Sequence, residues 1–403
     1  MLLHGAIRLR LRPEHLTFAT KSAFFLLLLG FGTLAYLGGG VDFRGYYAAA
    51  ILVRRGGNPY DYAQLAPVLR ELTGLAGNNP YYYPPWFCLL FVPLTLVPFQ
   101  VARAIWLLVS LVLFAIGLEQ LRQALEWRPG GWQRWGAYCV AMLMFGAYCL
   151  RSEQAGILLL LGLALSLNAI GQGRGALVGL GLAIALTKPQ ATGFAVLVLA
   201  LWLLNRKPAY VAWGVAWVAG LTAVASLAIP SWWRVSPEGF WQGLSYRLEG
   251  PGQIESVRVN ATLYDFLAHV LRLPAPSWYP VAILVAIAAV GAIVVSWRRV
   301  RDVRAVAAAS TLATLLLTPY ALQYDYVPLT LPLFWVFSRM ASLAPPARLA
   351  VTSLLVFSFS VLVWQAWSYQ GYWQLLGVFA AFAVVLACAG AKHPDCDGST
   401  AKG

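Results

Sequence analysis

Residues 22–47 read SAFFLLLLGFGTLAYLGGGVDFRGYY. The run from 22 to 37 carries no charge, follows Lys21 and the arginines Arg8, Arg10 and Arg12, and ends in three glycines. A bilayer core about 30 Å thick takes about 20 apolar residues of helix per crossing, so the run reads as a first transmembrane helix. Taken alone, a basic arm and an apolar run also describe a signal peptide, but many further apolar runs follow, and an uncleaved helix is expected. Asp42 is the first acidic residue past the run. It stands where the chain emerges from the membrane, as a base, a ligand or an ordinary interfacial charge.

Composition places the rest of the chain in the same environment. Of 403 residues, 60% are hydrophobic and 11% charged, with a mean hydropathy of +0.68, far from a soluble globular domain. The alternation of barrel strands is absent, so the crossings are helices, and the fold class is all-α: a polytopic transmembrane bundle of about 12 helices. Expected crossings are 22–37, 101–121, 135–150, 154–170, 176–187, 191–204, 209–229, 278–297, 305–318, 327–337, 349–367 and 375–390. The short, proline-interrupted stretch 86–99 reads as a re-entrant or interfacial helix. The whole chain, 1–403, is one integral-membrane domain with a first outer loop at 39–84, a second at 230–277 and a short polar tail at 391–403. Gly-Gly-Asn-Pro and Asn-Pro turn signals in the first loop predict short, irregular structure there.

The positive-inside rule tests the register. Lys and Arg total 29 against 15 Asp and Glu. With a cytoplasmic N-terminus, the cytoplasmic segments hold 18 basic and six acidic residues and the outer segments 11 basic and nine acidic. Net charge is then +12 inside and +2 outside. The excess of positive charge is a sidedness signal here, not a nucleic-acid footprint, and both termini are expected in the cytoplasm. The five cysteines and four histidines are scattered, with no spacing of a metal or redox set. No cofactor and no metal are expected.

Sorted by this topology, one set of polar residues gathers on the outer face: Asp42, Arg44, the Tyr81-Tyr82-Tyr83-Pro84-Pro85 run, Arg151, Glu153, Gln154, Lys188, Gln190, Tyr324 and Asp325. Ionisable groups at the ends of apolar helices are costly unless paired or facing a wet cavity, which makes such a set a candidate site. Snorkelling at the interface is the alternative for any lone Arg or Lys. One carboxylate among cations suits transfer to a hydroxyl with a phosphate leaving group, the carboxylate taking the proton and the cations holding phosphate oxygens. Outer Tyr and Trp side chains, Tyr46, Tyr47 and Tyr83 among them, would stack on sugars or form the aromatic belt at the membrane surface.

Several of these motifs also occur together in one known family. Asp42-Phe43-x-x-Tyr46-Tyr47 after the first crossing, Tyr83-Pro84-Pro85 before a short apolar helix with Pro93-Leu94, Glu153-Gln154, Lys188-Pro189-Gln190 and Thr318-Pro319-Tyr320 resemble glycosyltransferase family 87 from about residue 40 to 335. The resemblance implies the C-type glycosyltransferase architecture, a polyprenyl-phosphate sugar donor, a glycan or glycolipid acceptor, and α-1,2-mannosyltransferase chemistry in the extracytoplasmic leaflet. It makes Asp42 the general base, Lys188 and Arg151 the phosphate grip, and Gln154 and Gln190 hydrogen-bonding groups. Asn260-Ala261-Thr262 resembles a family Asn-x-Ser/Thr element and reads equally as a sequon, a turn or a helix cap. One departure is visible: some members carry Trp and His after the Ser/Thr-Pro, where this chain has Gln323-Tyr324-Asp325. Asp325 would then be a second polar anchor. From a different class, a transporter or flippase also fits polar residues beside a proline-broken helix; one-sided placement and the lack of an evident repeat argue against it. A structural subunit of an envelope-glycan complex is a third reading.

Overall fold

In a computed structural model the described residues are 12–38, 42–73, 80–229, 231–237, 302–318 and 321–368, with Thr262, Leu267 and Arg272. Among them are fourteen α-helices and no strand. Three of these helices are long and apolar enough to cross a membrane by themselves: α1 (Pro13–Leu37), α5 (Phe99–Ala124) and α11 (Pro208–Ala228). Pro13 occupies the first position of α1, where a missing N–H costs nothing, and the Gly38 N–H closes the other end on the Leu34 carbonyl at 2.9 Å.

Each expected crossing that falls in described residues coincides with helix. The 135–150 run is α6 (Gly131–Ala141), a π-helical turn at Met142–Gly146 and α7 (Ala147–Arg151). Next come α8 (Gly156–Gly171), α9 (Gly175–Ala185) and α10 (Pro189–Leu204), then α12 (Val303–Leu317), α13 (Thr330–Arg339) and α14 (Pro345–Ser368). The run at 327–337 differs at its start, where Gln323–Leu329 form a 3₁₀ segment containing Pro328 before α13 begins. The runs at 278–297 and 375–390, the tail and most of the second outer loop lie outside the described residues.

The first outer loop departs from the irregular structure its turn signals predict. It holds two three-turn helices, α2 (Phe43–Arg54) and α3 (Tyr62–Thr73), separated by the Gly56-Gly57 turn. The reason lies in burial. Phe43, Tyr46, Tyr47 and Ala48-Ala49-Ala50 are all buried, so a good helix-forming run is fixed by tertiary packing. The 86–99 stretch becomes the short helix α4 (Pro85–Leu89) and a 3₁₀ turn at Pro93–Leu96, broken by proline as the sequence indicates.

Two apolar cores result. The larger joins α1, α5 to α10, α12 and α13, and the smaller is built by α2, α3, α4 and the start of α5. Small residues let α8 and α9 approach closely: a Cβ on Gly162 would press the Gly181 carbonyl and the Ala185 amide. Polar groups separate along α5, which carries Arg103 near its start and Arg122 in its last turn. At about 1.5 Å per residue these lie roughly 30 Å apart, the thickness of a bilayer core.

Candidate active site

Five separate segments meet at the Arg103 end of the bundle. The turn between α7 and α8 is tight: the N–H groups of Ser152, Glu153 and Gln154 bond back to the carbonyls of Tyr148, Leu150 and Cys149 at 3.0, 2.9 and 3.0 Å. It presents Gln154, 4% exposed, to the loop helices. The Gln154 Oε1 accepts from the Tyr46 hydroxyl at 2.8 Å and the Tyr83 hydroxyl at 2.9 Å, and lies 3.5 Å from Lys188 Nζ. An ammonium only donates, so the amide oxygen must face it, which settles the orientation of this amide.

Each partner has its own support. Tyr46 is held on α2 by the rings of Phe87 and Phe91, with centroids at 5.0 and 5.2 Å. Tyr83 precedes Pro84, which favours extended backbone, and its carbonyl accepts from the Tyr60 hydroxyl at 2.5 Å. The Tyr46 and Tyr83 oxygens are themselves 2.8 Å apart. Burial pushes the Tyr46 phenol well above its ordinary value, so it remains a donor.

Lys188 is the residue before Pro189, and Pro189 opens α10. Its Nζ sits 2.5 Å from Asp325 Oδ1, with both side chains buried, and 4.3 Å from the centre of the Tyr324 ring. Asp325 Oδ2 accepts from the Leu322 N–H at 3.1 Å, which fixes the carboxylate. Tyr148 stacks on the other partner of this group, the Tyr324 ring, at 6.1 Å. Gly156 brings the two segments together, because a Cβ there would run into the Tyr324 carbonyl.

Asp42 is half-buried at the start of α2, one helical turn before Tyr46, and does not cap the helix with its side chain. Its charge and that of Arg44 reach Glu153, and that of Asp42 also reaches Tyr46. Tyr46, Tyr83, Gln154, Lys188, Tyr324 and Asp325 therefore form one cluster, with Asp42 and Arg44 beside it. Tyr47 is elsewhere: its hydroxyl donates to the Val97 carbonyl at 2.8 Å, inside the smaller core. Arg151 is exposed at the end of α7, and Gln190 is half-exposed in the first turn of α10. Asn260 lies outside the described residues.

Glu153 turns away from the Lys188 cluster to a partner that the sequence does not indicate. Its Oε1 lies 2.5 Å from Arg103 Nε, its carbonyl accepts from Trp106 Nε1 at 3.0 Å, and its backbone is left-handed, with φ 55°. Arg103 also donates to the Ala35 carbonyl at 2.5 Å, tying α1, α5 and the Gln154 turn together. Arg103 escapes sequence reasoning because one Arg near a helix end reads as snorkelling; the signal that could have found it is a Glu in the same position on another crossing. The loop tyrosines are corrected too. Tyr46 is buried against Phe87 and Phe91, Tyr47 against Phe99, and Tyr81 against Tyr60 and Tyr83, not spread in a membrane-surface belt. Among the described residues no three His, Cys, Asp or Glu side chains gather as a metal set.

The cluster combines a fixed cation, several phenol hydroxyls, one amide and a nearby carboxylate, which is the equipment for holding an anionic leaving group beside a hydroxyl nucleophile. The sequence model of glycosyltransferase family 87 matches residues 81–319, more than half of the chain. The matched span contains Tyr83, Gln154 and Lys188, begins after Asp42 and stops before Tyr324. No curated protein and no solved structure matches the chain significantly. With an all-helical, strongly apolar architecture and this match, the chain belongs to glycosyltransferase family 87 and is a membrane glycosyltransferase.

Proposed function

We propose that the enzyme moves a hexosyl unit, mannose by the family resemblance, from a polyprenyl-phosphate sugar to a hydroxyl of a glycan or glycolipid on the extracytoplasmic face. Asp42 takes the proton of the acceptor hydroxyl. The oxygen attacks the anomeric carbon from the face opposite the phosphate, the bond from that carbon to the phosphate oxygen breaks, and the electron pair leaves with the polyprenyl phosphate. Configuration at the anomeric carbon inverts. Lys188 stabilises the charge that grows on the phosphate, and Arg151 and Arg44 assist it. Gln154, Tyr46 and Tyr83 position the sugar hydroxyls and the cation. Asp325 and Tyr324 hold Lys188 until the donor arrives.

One observation carries this reading. Lys188 does not snorkel toward bulk water; it is 3% exposed and turned inward to Gln154 and Asp325. A buried cation with one counter-charge and a polar ring around it is a natural exchange point for a second anion.

The test is reconstitution in liposomes with a polyprenyl-phosphate sugar labelled at the anomeric carbon and a panel of hydroxyl acceptors. Product carrying the label in a glycosidic bond of inverted configuration is expected. A retained configuration would overturn the mechanism, and movement of label across the bilayer without a glycosidic product would overturn the reaction in favour of transport.

A further inference from the structure

At the opposite end of the bundle a groove of about 760 Å³ opens between the turn after α5, one side of α6 and the ends of α12, α13 and α14. That volume is within the range of small-molecule sites, about 300–1,000 Å³. Four arginines line it, Arg128, Arg304, Arg339 and Arg348, against the single carboxylate Glu126.

Two of the four charges are compensated. Arg304 pairs with Glu126, and Arg339 Nη2 lies 2.8 Å from Asp302 Oδ2. These pairs pin the turn after α5 to α12 and α12 to α13, so the groove is a braced feature. Its wall is braced as well, since Trp127 packs on Phe334 and Phe337 at 5.4 and 6.0 Å. The other two arginines form no ion pair among the described residues, and Glu126, already bonded to Arg304, reaches Arg128 only at longer range. Arg128 is exposed and has no ion pair there. Arg348 spends Nη2 on neutral acceptors, the carbonyls of Ala341 and Leu343 at 3.2 and 3.1 Å. Two guanidinium forks facing one cavity, neither in an ion pair, suit a phosphate, which they bind bidentately.

An apolar track leads out of the groove. Trp132, Gly136 and Val140 repeat every fourth residue of α6, and Leu143 continues the line in the next turn. Trp132 and Leu143 are each 44% exposed, and a Cβ on Gly136 would meet nothing within 4 Å. A soluble phosphate has no use for such a track; an acyl chain does. The groove also sits roughly one bilayer thickness from Arg103, at the arginine-rich end that the positive-inside rule assigns to the cytoplasm, where the leaflet is anionic.

We propose that this groove binds the headgroup of an anionic diacyl phospholipid, its phosphate between Arg128 and Arg348 and an acyl chain along the Trp132, Gly136 and Leu143 track. The site is separate from the Lys188 cluster and from sugar transfer.

The test is native mass spectrometry of the detergent-solubilised full chain titrated with dioleoylphosphatidylglycerol or dioleoylphosphatidylcholine. The wild type is expected to hold one phosphatidylglycerol about tenfold or more tighter than phosphatidylcholine. R128Q/R348Q removes that preference; G136F, which fills the open space without changing charge, weakens binding of phosphatidylglycerol itself and stands as the test if the double variant folds poorly. R206Q, which removes a charge at the same end but outside the groove, leaves binding within about twofold. Equal weakening by R206Q would overturn the site in favour of diffuse surface charge. No preference in the wild type, or full displacement of the lipid by millimolar inorganic phosphate, would overturn the lipid assignment.

Discussion

The Lys188 ammonium lies 2.5 Å from the Asp325 carboxylate, with both side chains buried and the Tyr324 ring over the cation. Burying two charges costs several kcal/mol each, and their attraction offsets this only while both remain. D325N is therefore expected to destabilise the protein by about 3–5 kcal/mol, because it leaves the Lys188 charge without its partner. The apolar double replacement K188M/D325L should recover most of that loss and none of the activity. Thermal unfolding in detergent beside transfer rate checks both halves; a double variant that transfers sugar would remove Lys188 from the phosphate.

Tyr46 and Tyr83 share one acceptor, Gln154 Oε1. Y46F and Y83F each remove one hydrogen bond of about 1 kcal/mol. Groups in one network couple, so the double variant should differ from the sum of the singles by about 0.5 kcal/mol or more. A double-mutant cycle on transfer rate and on melting temperature reads this. Strict additivity would mean that the three oxygens do not act as a unit.

Gly156 faces the Tyr324 carbonyl without space for a side chain. G156A should cost about 1–3 kcal/mol of stability. It should also lower activity at temperatures where the protein stays folded, since any relief moves the Tyr324-Asp325 segment away from Lys188. Activity unchanged at full folding would show that the spacing of these two segments does not matter to transfer.

Much of the candidate cluster is legible in the sequence, for a physical reason. Asp42, Gln154, Lys188 and Asp325 are polar groups at the ends of apolar runs, and a membrane makes such groups conspicuous. Lys188 stands out further because Pro189 fixes a helix start at that depth. What the residues turn toward is less legible. Glu153 and Gln154 are neighbours, yet a left-handed backbone at Glu153 sends one to Arg103 and the other to Tyr46, Tyr83 and Lys188. Periodicity has no bearing on that divergence.

Among the described residues the apolar helices are read from hydropathy to within a few residues, whereas α2 and α3 are hidden by the Gly and Pro that punctuate them. Their stability comes from burying Tyr46, Tyr47 and Tyr81 under other parts of the same chain. A tyrosine buried in protein and one at a lipid surface look identical in a sequence.

The central claim is that Asp42, one turn before Tyr46, accepts the proton of the acceptor hydroxyl. The most direct measurement is single-turnover transfer from a polyprenyl-phosphate sugar by wild type and D42N in liposomes, with donor binding measured in parallel. Loss of a general base should slow transfer about 10²- to 10⁴-fold and leave donor affinity within a few-fold of wild type. Transfer by D42N at the wild-type rate would contradict the account.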